Sequence, residues 1–328
     1  MNVKKKPNSL RNRIGSLLPA PIKKSLIWLN HRPAKIHAWF FQAASKGKIP
    51  CPDKLFLKWM FKVFTGQKLN LKNPLTYQDK LNWLKLYYRV PLHTKLVDKY
   101  AVREWVADKI GEEYLVPLYG VYEQFEDIDF DKLPNQFVLK CTHDSGSVVI
   151  CRDKQSFDME SAEKKIKKGL ALKQFYLTRE WPYKNVKPRI ICEKLLVQPN
   201  SDDLPDYKFF CFGGTVKFIF IYAGRNSNNV PKQCNIYDRE FNFYHIQFNR
   251  HPSIFEPPIK PINFEKMVEL AEVLSAGIPF VRVDFYNVKS KIYFGEMTFF
   301  PAGARRIFQP FEYNLLLGSW ITLPEKTP

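Results

Sequence analysis

Val281-Arg-Val-Asp-Phe-Tyr-Asn-Val-Lys-Ser-Lys-Ile-Tyr-Phe-Gly-Glu-Met-Thr-Phe-Phe-Pro-Ala-Gly303 reads as a β-hairpin. Val281, Val283 and Phe285 alternate with polar or bulky neighbours, the period of a strand with one buried face. Asn287 to Lys291 supplies the turn, and Ile292 to Thr298 returns. Arms of equal length bring Asp284 and Glu296 side by side on adjoining strands. Two carboxylates held together repel, and a divalent cation relieves that repulsion. An exposed hairpin whose acids only keep it soluble fits the same residues, so the surrounding chain has to decide.

Before the hairpin, Phe264 to Leu274 has the pattern of an amphipathic helix, and Gly277-Ile-Pro leads out of it. Further back, Pro205 to Ile221 is a strand–turn–strand with Gly213-Gly214 at the turn. Asp206 and Lys208 are two apart there and share a face. Arg189-Ile-Ile-Cys-Glu-Lys-Leu-Leu is an apolar strand that abruptly exposes Glu193 and Lys194. Phe137 to Lys140 and Val148 to Cys151 are strands joined by Cys-Thr-His-Asp-Ser-Gly-Ser. A loop of small residues lets backbone N–H groups approach an anion, and Lys140 leaves its strand just before that loop. A surface hairpin turn is the plainer alternative. The pattern G-x-x-x-x-G-K-[ST] is absent, and no H-R-D or D-F-G follows the lysine, so neither a P-loop nor a protein kinase is indicated.

The first part of the chain reads as helical. Asp53 to Thr65 is an apolar helix candidate. Asn73-Pro-Leu-Thr76 makes a turn and an N-cap for a helix running to Tyr88. Lys95 to about Ile110 reads as one helix ended by Gly111, with Asp98-Lys99-Tyr100 inside it. Tyr114 to Gly120 is a short strand, and Ser156 to Leu172 a lysine-rich helix.

The chain has 328 residues with 51 Lys or Arg, 32 Asp or Glu and a net charge of +19. Residues 1–60 hold 13 of the cations and one acid, Asp53, and so carry +12. Leu26, Trp28, Trp39 and Phe40 are interleaved with Lys23, Lys24, Arg32 and Lys35 between Pro21 and Ala44. That mixture suits either an anionic membrane surface or a helical pair packed on the body of the protein. A basic arm also suits nucleic acid or an acidic polymer. Nothing resembles a helix-turn-helix, zinc-finger or RRM signature, so nucleic acid is not expected. No apolar run reaches the roughly 18 residues of a membrane span. Six cysteines lack C-x-x-C spacing and read as reduced, buried thiols of a cytoplasmic protein.

Taken in order, these pieces resemble an ATP-grasp enzyme. They are a D-K helix start, a strand lysine before a Ser/Gly flap, a strand ending in Glu-Lys, Asp-x-Lys, V-R-V-D-F and a Glu-bearing strand. Their order is similar to that of D-alanine–D-alanine ligases across roughly residues 97 to 303. Gly295-Glu-Met-Thr-Phe-Phe-Pro, Asp98-Lys-Tyr-Ala-Val-Arg and Cys141-Thr-His-Asp-Ser-Gly-Ser look most like the TupA-like group, named for teichuronopeptide synthesis. The resemblance implies an α+β, ATP-grasp fold of two α+β subdomains clasping ATP. Its expected parts are a basic helical region at 1–70, a helical segment at 71–134, an N-subdomain with the flap at 135–196, and a C-subdomain with the metal hairpin at 197–328.

The resemblance also implies roles. Lys99 and Lys140 would touch the ATP phosphates under a flap of His143, Asp144, Ser145, Gly146 and Ser147. Glu193, Lys194 and Leu196 would line the adenine and ribose site. Lys208 would approach the terminal phosphate, and Arg282 the acyl-phosphate. Asp284 and Glu296 would hold Mg²⁺, with Thr298 standing where these ligases generally have asparagine. A hydroxyl is a weaker ligand for a hard cation. The expected activity is an ATP-dependent carboxylate–amine ligase that joins an amino acid or amine to a uronic-acid polysaccharide or its precursor, peripheral at the inner face of the plasma membrane. A non-catalytic protein of a capsule-assembly complex and an ATP-dependent sugar phosphotransferase are the alternatives.

Overall fold

The computed structural model describes residues 43–44, 46–199, 203–224, 233–244 and 260–327. The basic aromatic stretch before Ala43, and with it the reading of a surface-binding arm, lies outside them. By its contacts the chain divides into a unit Met1–Cys51 and a unit Pro52–Pro328, and the second is described below. Among the described residues no helix is long and apolar enough to cross a membrane.

Helices come first. They are α1 (Asp53–Thr65), α2 (Tyr77–Tyr87), α3 (Leu92–Val97) and α4 (Val102–Ile110). Thr76 caps α2 in a full capping box, its hydroxyl accepting from the Asp79 N–H and Asp79 reaching back. The single helix expected from Lys95 to Ile110 is instead α3 and α4 with a break at Asp98–Ala101. The Asp98 carboxylate causes the break by accepting from the N–H groups of Tyr100 at 2.9 Å and Ala101 at 3.3 Å. The break turns the Lys99 N–H outward to the Thr142 carbonyl at 3.1 Å.

The first sheet contains β1 (Leu118–Tyr122), β2 (Phe137–Cys141), β3 (Val148–Cys151) and β4 (Ile190–Lys194), in the antiparallel order β1-β4-β2-β3. The sheet therefore begins before residue 135. Strand alternation divides its faces. Phe137, Leu139, Cys141, Ile190 and Cys192 form a core with Ala162 and Ile166 of α5 (Met159–Leu170). Lys140, Ile191 and Glu193 face the other way, into a cavity. A short helix, α6 (Gln174–Thr178), follows α5.

The second sheet contains β5 (Asp206–Phe212), β6 (Thr215–Ala223), β7 (Gln233–Asp238), β8 (Phe280–Val288) and β9 (Lys291–Thr298), in the antiparallel order β7-β6-β5-β8-β9. Gly213 and Gly214 take φ of 57° and 87°, the mirror-image turn that a two-residue hairpin needs. Phe209, Val281, Val283 and Phe285 bury one face against α7 (Phe264–Ser275). Phe209 meets Phe264 at 6.2 Å and Phe285 at 5.7 Å between ring centroids. Each such fully buried side chain contributes roughly 1.5–3 kcal/mol. The opposite face is aromatic at one end and charged at the other. Phe280 packs edge-on to Tyr77 of α2 at 5.3 Å, while Lys208, Asp284 and Glu296 line the cavity. The last helix, α8 (Glu312–Ser319), packs beside α2.

The β8–β9 hairpin has the expected register, with Asp284 opposite Glu296. A bulge achieves it: Asp284 pairs with Glu296 and Phe285 with Phe294, leaving Gly295 as the extra residue. A Cβ on Gly295 would stand 3.1 Å from the Asp284 carbonyl oxygen and 3.4 Å from the Tyr286 ring. Gly295→Ala is therefore expected to cost about 1–3 kcal/mol through overpacking, read as a lower Tm. An unchanged Tm would mean the bulge relaxes without cost.

Candidate functional site

The inward faces of the two sheets, with the loops beside them, enclose a cavity of about 750 Å³. That is within the usual range for a small-molecule site. The first sheet and its flap contribute Lys140, Ser145 and Glu193, and the α3–α4 break contributes Lys99. The second sheet contributes Lys208, Arg282, Asp284, Glu296 and Thr298. Nine residues singled out from the sequence thus meet in one place.

Lys208, Asp284 and Glu296 are neighbours across β5, β8 and β9. Arg282 lies two residues before Asp284, so strand alternation points both side chains the same way. Its Nε and Nη2 donate to Asp284 Oδ1 and Oδ2, each at 2.6 Å. Nη2 also donates to Glu296 Oε1 at 2.7 Å and Thr298 Oγ1 at 3.0 Å. Lys208 donates to Asp284 and, at 2.6 Å, pairs with Asp206. The sequence suggests two acids repelling each other until a metal arrives. In the structure that repulsion is already relieved, because Arg282 bridges the two acids and Lys208 adds a second cation.

Electrostatics follow from this arrangement. Burial acts to raise the Glu296 pKa, but Arg282, Lys99 and Lys208 outweigh it and hold the carboxyl at about 2. Burial pushes Asp284 upward, opposed by Arg282 and Lys208. Asp284 is only 2% exposed, and burial, with Asp206 and Glu296 nearby, leaves its carboxyl above the ordinary range despite its two cationic neighbours. Among the described residues no three His, Cys, Asp or Glu form a ready metal cage. Mg²⁺ does not need one, since it commonly takes one or two carboxylates and completes its shell with water and substrate phosphate. Asp284, the ionised Glu296 and the Thr298 hydroxyl are hard oxygen donors on adjoining strands, so the donor set fits that ion.

Across the cavity, Lys140 Nζ pairs with Glu193 Oε2 at 2.8 Å. Arg103 Nη1 meets Glu193 Oε1 at 3.3 Å, and its Nη2 donates to the Val116 carbonyl at 2.9 Å. Lys99 donates to the Asp144 carbonyl, fastening the α3–α4 break to the flap. The flap is closed from within: Asp144 accepts from the Ser147 hydroxyl at 2.6 Å and its N–H at 3.2 Å. His143 is buried behind it with Nε2 3.0 Å from the Leu172 carbonyl, and burial lowers its pKa. Of the flap residues proper, Ser145 lines the cavity, while His143, Asp144, Gly146 and Ser147 do not.

Two expected lining residues are elsewhere. Lys194 follows Glu193 on β4, so alternation turns it away and leaves it exposed. Leu196 packs against the small cluster of Val116, Val288 and Tyr293. Arg103 was not singled out from the sequence, although it closes the Asp-Lys-Tyr-Ala-Val-Arg run five residues after Asp98. Glu180 and Tyr183 also line the cavity, from a segment between α6 and β4 without periodicity. Beside Thr178, at the end of α6, runs a loop in which Ala302, Gly303 and Ala304 take φ of 53°, 64° and 55°. Two non-glycine residues in left-handed backbone are the kind of strain that gathers at binding sites. The buried Lys85 ties both walls together, donating to the Thr178 carbonyl at 3.2 Å and the Gly303 carbonyl at 2.9 Å. Burial lowers its pKa to about 8.

A sequence model of the family described as TupA-like ATPgrasp matches residues 79–322. No curated protein matches the chain. Among solved structures, the chain is similar to D-alanine–D-alanine ligase from Helicobacter pylori at 13% identity, covering 75% of this chain and 69% of that one, with a TM-score of 0.42. It is similar to the Bacillus anthracis D-alanine–D-alanine ligase complexed with ATP at 14% identity, covering 62% and 53%, with a TM-score of 0.35. An L-amino acid ligase from Bacillus licheniformis matches at 14% identity over 75% and 52%, with a TM-score of 0.38. The chain spans about half the length of the last two.

Proposed function

The chain belongs to the TupA-like ATPgrasp family, and on that premise we propose that it is an ATP-dependent carboxylate–amine ligase. The observation that carries the reading is the cavity itself. Lysines from one wall face a carboxylate row on the other, and an arginine stands within that row. In this reading Lys99 and Lys140 bind ATP phosphates, and the flap closed by Asp144 and Ser147 keeps water from them. Glu193, held by Arg103 and Lys140, faces the nucleoside. Lys208 and Arg282 leave their carboxylate partners in part and offer charge to the phosphoryl group and the acyl-phosphate. Such charge, placed in advance where the transition state needs it, is a large source of catalysis. Asp284, Glu296 and Thr298 would hold Mg²⁺, which when bound supplies charge neutralisation at the phosphates.

The substrate reading comes from the family resemblance, and the charge of the cavity agrees with it. Arg305 and Arg306 join Lys99, Lys140, Lys208 and Arg282 on the cavity wall, which suits acids in the substrate beyond ATP itself. We place a uronic acid, free or in a polysaccharide precursor, as the carboxylate donor and an amino acid as the amine. The basic residues of 1–60 would draw the protein to anionic polymer or lipid.

A non-catalytic nucleotide-binding protein is the second reading, favoured by Arg282 already neutralising the carboxylates and by Thr298 in place of asparagine. ADP release from Mg-ATP separates the two. Measured over a panel of amino acids with and without uronic acids, release is expected to require both partners. ATP binding with no ADP release for any pair would favour the non-catalytic protein.

A further inference from the structure

Amide formation needs a group that receives the amine, and four of the five acids lining the cavity are held in ion pairs. Asp206 and Asp284 are paired with Lys208, Asp284 and Glu296 with Arg282, and Glu193 with Arg103 and Lys140. Glu180 is different. It lines the same cavity, is 6% exposed, and has no ion pair among the described residues. Thr178, two residues before it, is joined through Lys85 to Gly303, which follows the Glu296 strand, and all of these but Lys85 line the cavity. Tyr183 stands three residues on. It lines the same cavity, and its backbone N–H donates to the Glu180 carbonyl at 3.1 Å, which holds the two residues in one turn.

We propose that Glu180 and the Tyr183 hydroxyl form the acceptor-amine subsite, where Glu180 binds the nucleophile as its ammonium and takes a proton from it. The proposal rests on the ligase reading above. An ammonium has no lone pair and cannot attack. One proton passes from nitrogen to the Glu180 carboxylate, and the freed pair forms the C–N bond at the acyl-phosphate carbon. The C–O bond to phosphorus then breaks with its electrons leaving on inorganic phosphate, and nitrogen loses its second proton to that phosphate or to water. Burial raises the Glu180 pKa and Glu296 adds to the rise, while Lys85, the Thr178 hydroxyl and Arg305 oppose it without forming an ion pair, which favours a carboxylate that accepts a proton. Burial also keeps the Tyr183 hydroxyl protonated. Lys85 acts as a positioning residue through its bonds to the Thr178 and Gly303 carbonyls, one on each wall. With Arg305 acting on this carboxylate and Arg306 lining the same cavity, the subsite suits an α-amino acid, cationic at one group and anionic at another.

A neutral nucleophile tests the proposal, because hydroxylamine attacks without first losing a proton to a base. The wild type is given Mg-ATP and glucuronate with either glutamate or hydroxylamine, and amide and hydroxamate are measured. Glu180→Gln is expected to lower the ratio of amide to hydroxamate about 100-fold, the usual scale of a lost general base. Glu180→Asp should recover part of that ratio. Equal loss of both products, or loss of neither, overturns the subsite. Should Glu180→Gln not fold, Tyr183→Phe is the second variant, expected to lower the same ratio about tenfold, and an unchanged ratio again overturns it. A wild type that forms neither product defeats the ligase reading itself, an outcome distinct from a variant that behaves like an active wild type.

Discussion

Asp284→Asn is expected to abolish magnesium-dependent ADP release and the rise in Tm that Mg-ATP produces, and to lower the stability of the ligand-free protein. Viewed as two facing acids, the hairpin suggests the reverse for the free protein, since removing one charge relieves repulsion. The structure changes the sign. Asp284 accepts two bonds from Arg282 at 2.6 Å and one from Lys208, all in a buried setting. Asparagine turns one acceptor into a donor and leaves two buried cations to share Asp206 and Glu296. Breaking a buried pair costs roughly 3–5 kcal/mol, and the remaining acids keep the loss toward the lower end. The ligand effect is separate. Mg-ATP at a hundred times its Kd stabilises the native state by about 2.7 kcal/mol, and the variant should lose most of that. Melts of both proteins with and without Mg-ATP resolve the two effects. Equal shifts in both would remove the hairpin as the metal site. A higher Tm for the ligand-free variant would show that desolvation of this cluster outweighs its attractions. Glu296 adds an acid limb to the same melts. With a folded pKa of about 2, below the ordinary 4.5, its contribution is full above about pH 4.5 and is lost as pH falls toward 2.

The parts of this site that the sequence made legible are those set by the period of two. Asp206 with Lys208, Arg282 with Asp284, and Glu296 with Thr298 are each two apart, and a hairpin of equal arms aligns the acids. What that period does not carry is reach. Arg282 can point outward toward a ligand or lie along its own strand onto Asp284, and only packing shows that it lies along the strand. The α3–α4 break was hidden for a similar reason. Lys95 to Ile110 contains no glycine or proline, and the interruption comes from Asp98, whose carboxylate takes local N–H groups and also pairs with Arg189 at 2.7 Å. Glu180 and Tyr183 lie in a turn-rich stretch whose placement depends on a lysine almost a hundred residues earlier. Lys194 turns away from the cavity because alternation along β4 sets it opposite to Glu193, and Leu196 lies past the end of that strand, where the strand face cannot be extrapolated.

Lys140→Met is expected to lower ADP release about 100-fold or more while the protein still folds. The rate effect follows from position. Lys140 ends the face of β2 that looks into the cavity and precedes the flap that Asp144 and Ser147 hold closed. A cation so placed meets charge that develops on a transferring phosphoryl group, and one lost contact of that kind costs about 10²–10³ in rate. The fold survives for a reason equally specific. Losing Lys140 takes one of two cations from the buried Glu193, and Arg103 remains at 3.3 Å. The cost should therefore be well under the roughly 3–5 kcal/mol of a buried acid left alone. Lys99→Met should behave differently. Lys99 is tied to the Asp144 carbonyl, so its removal loosens the flap and weakens ATP binding more than it slows turnover of bound ATP. The two variants thus separate along KM and kcat. Lys140→Met turnover within tenfold of the wild type would make the flap a surface hairpin beside the site. It would also leave the Glu193 pair as its only use for that lysine.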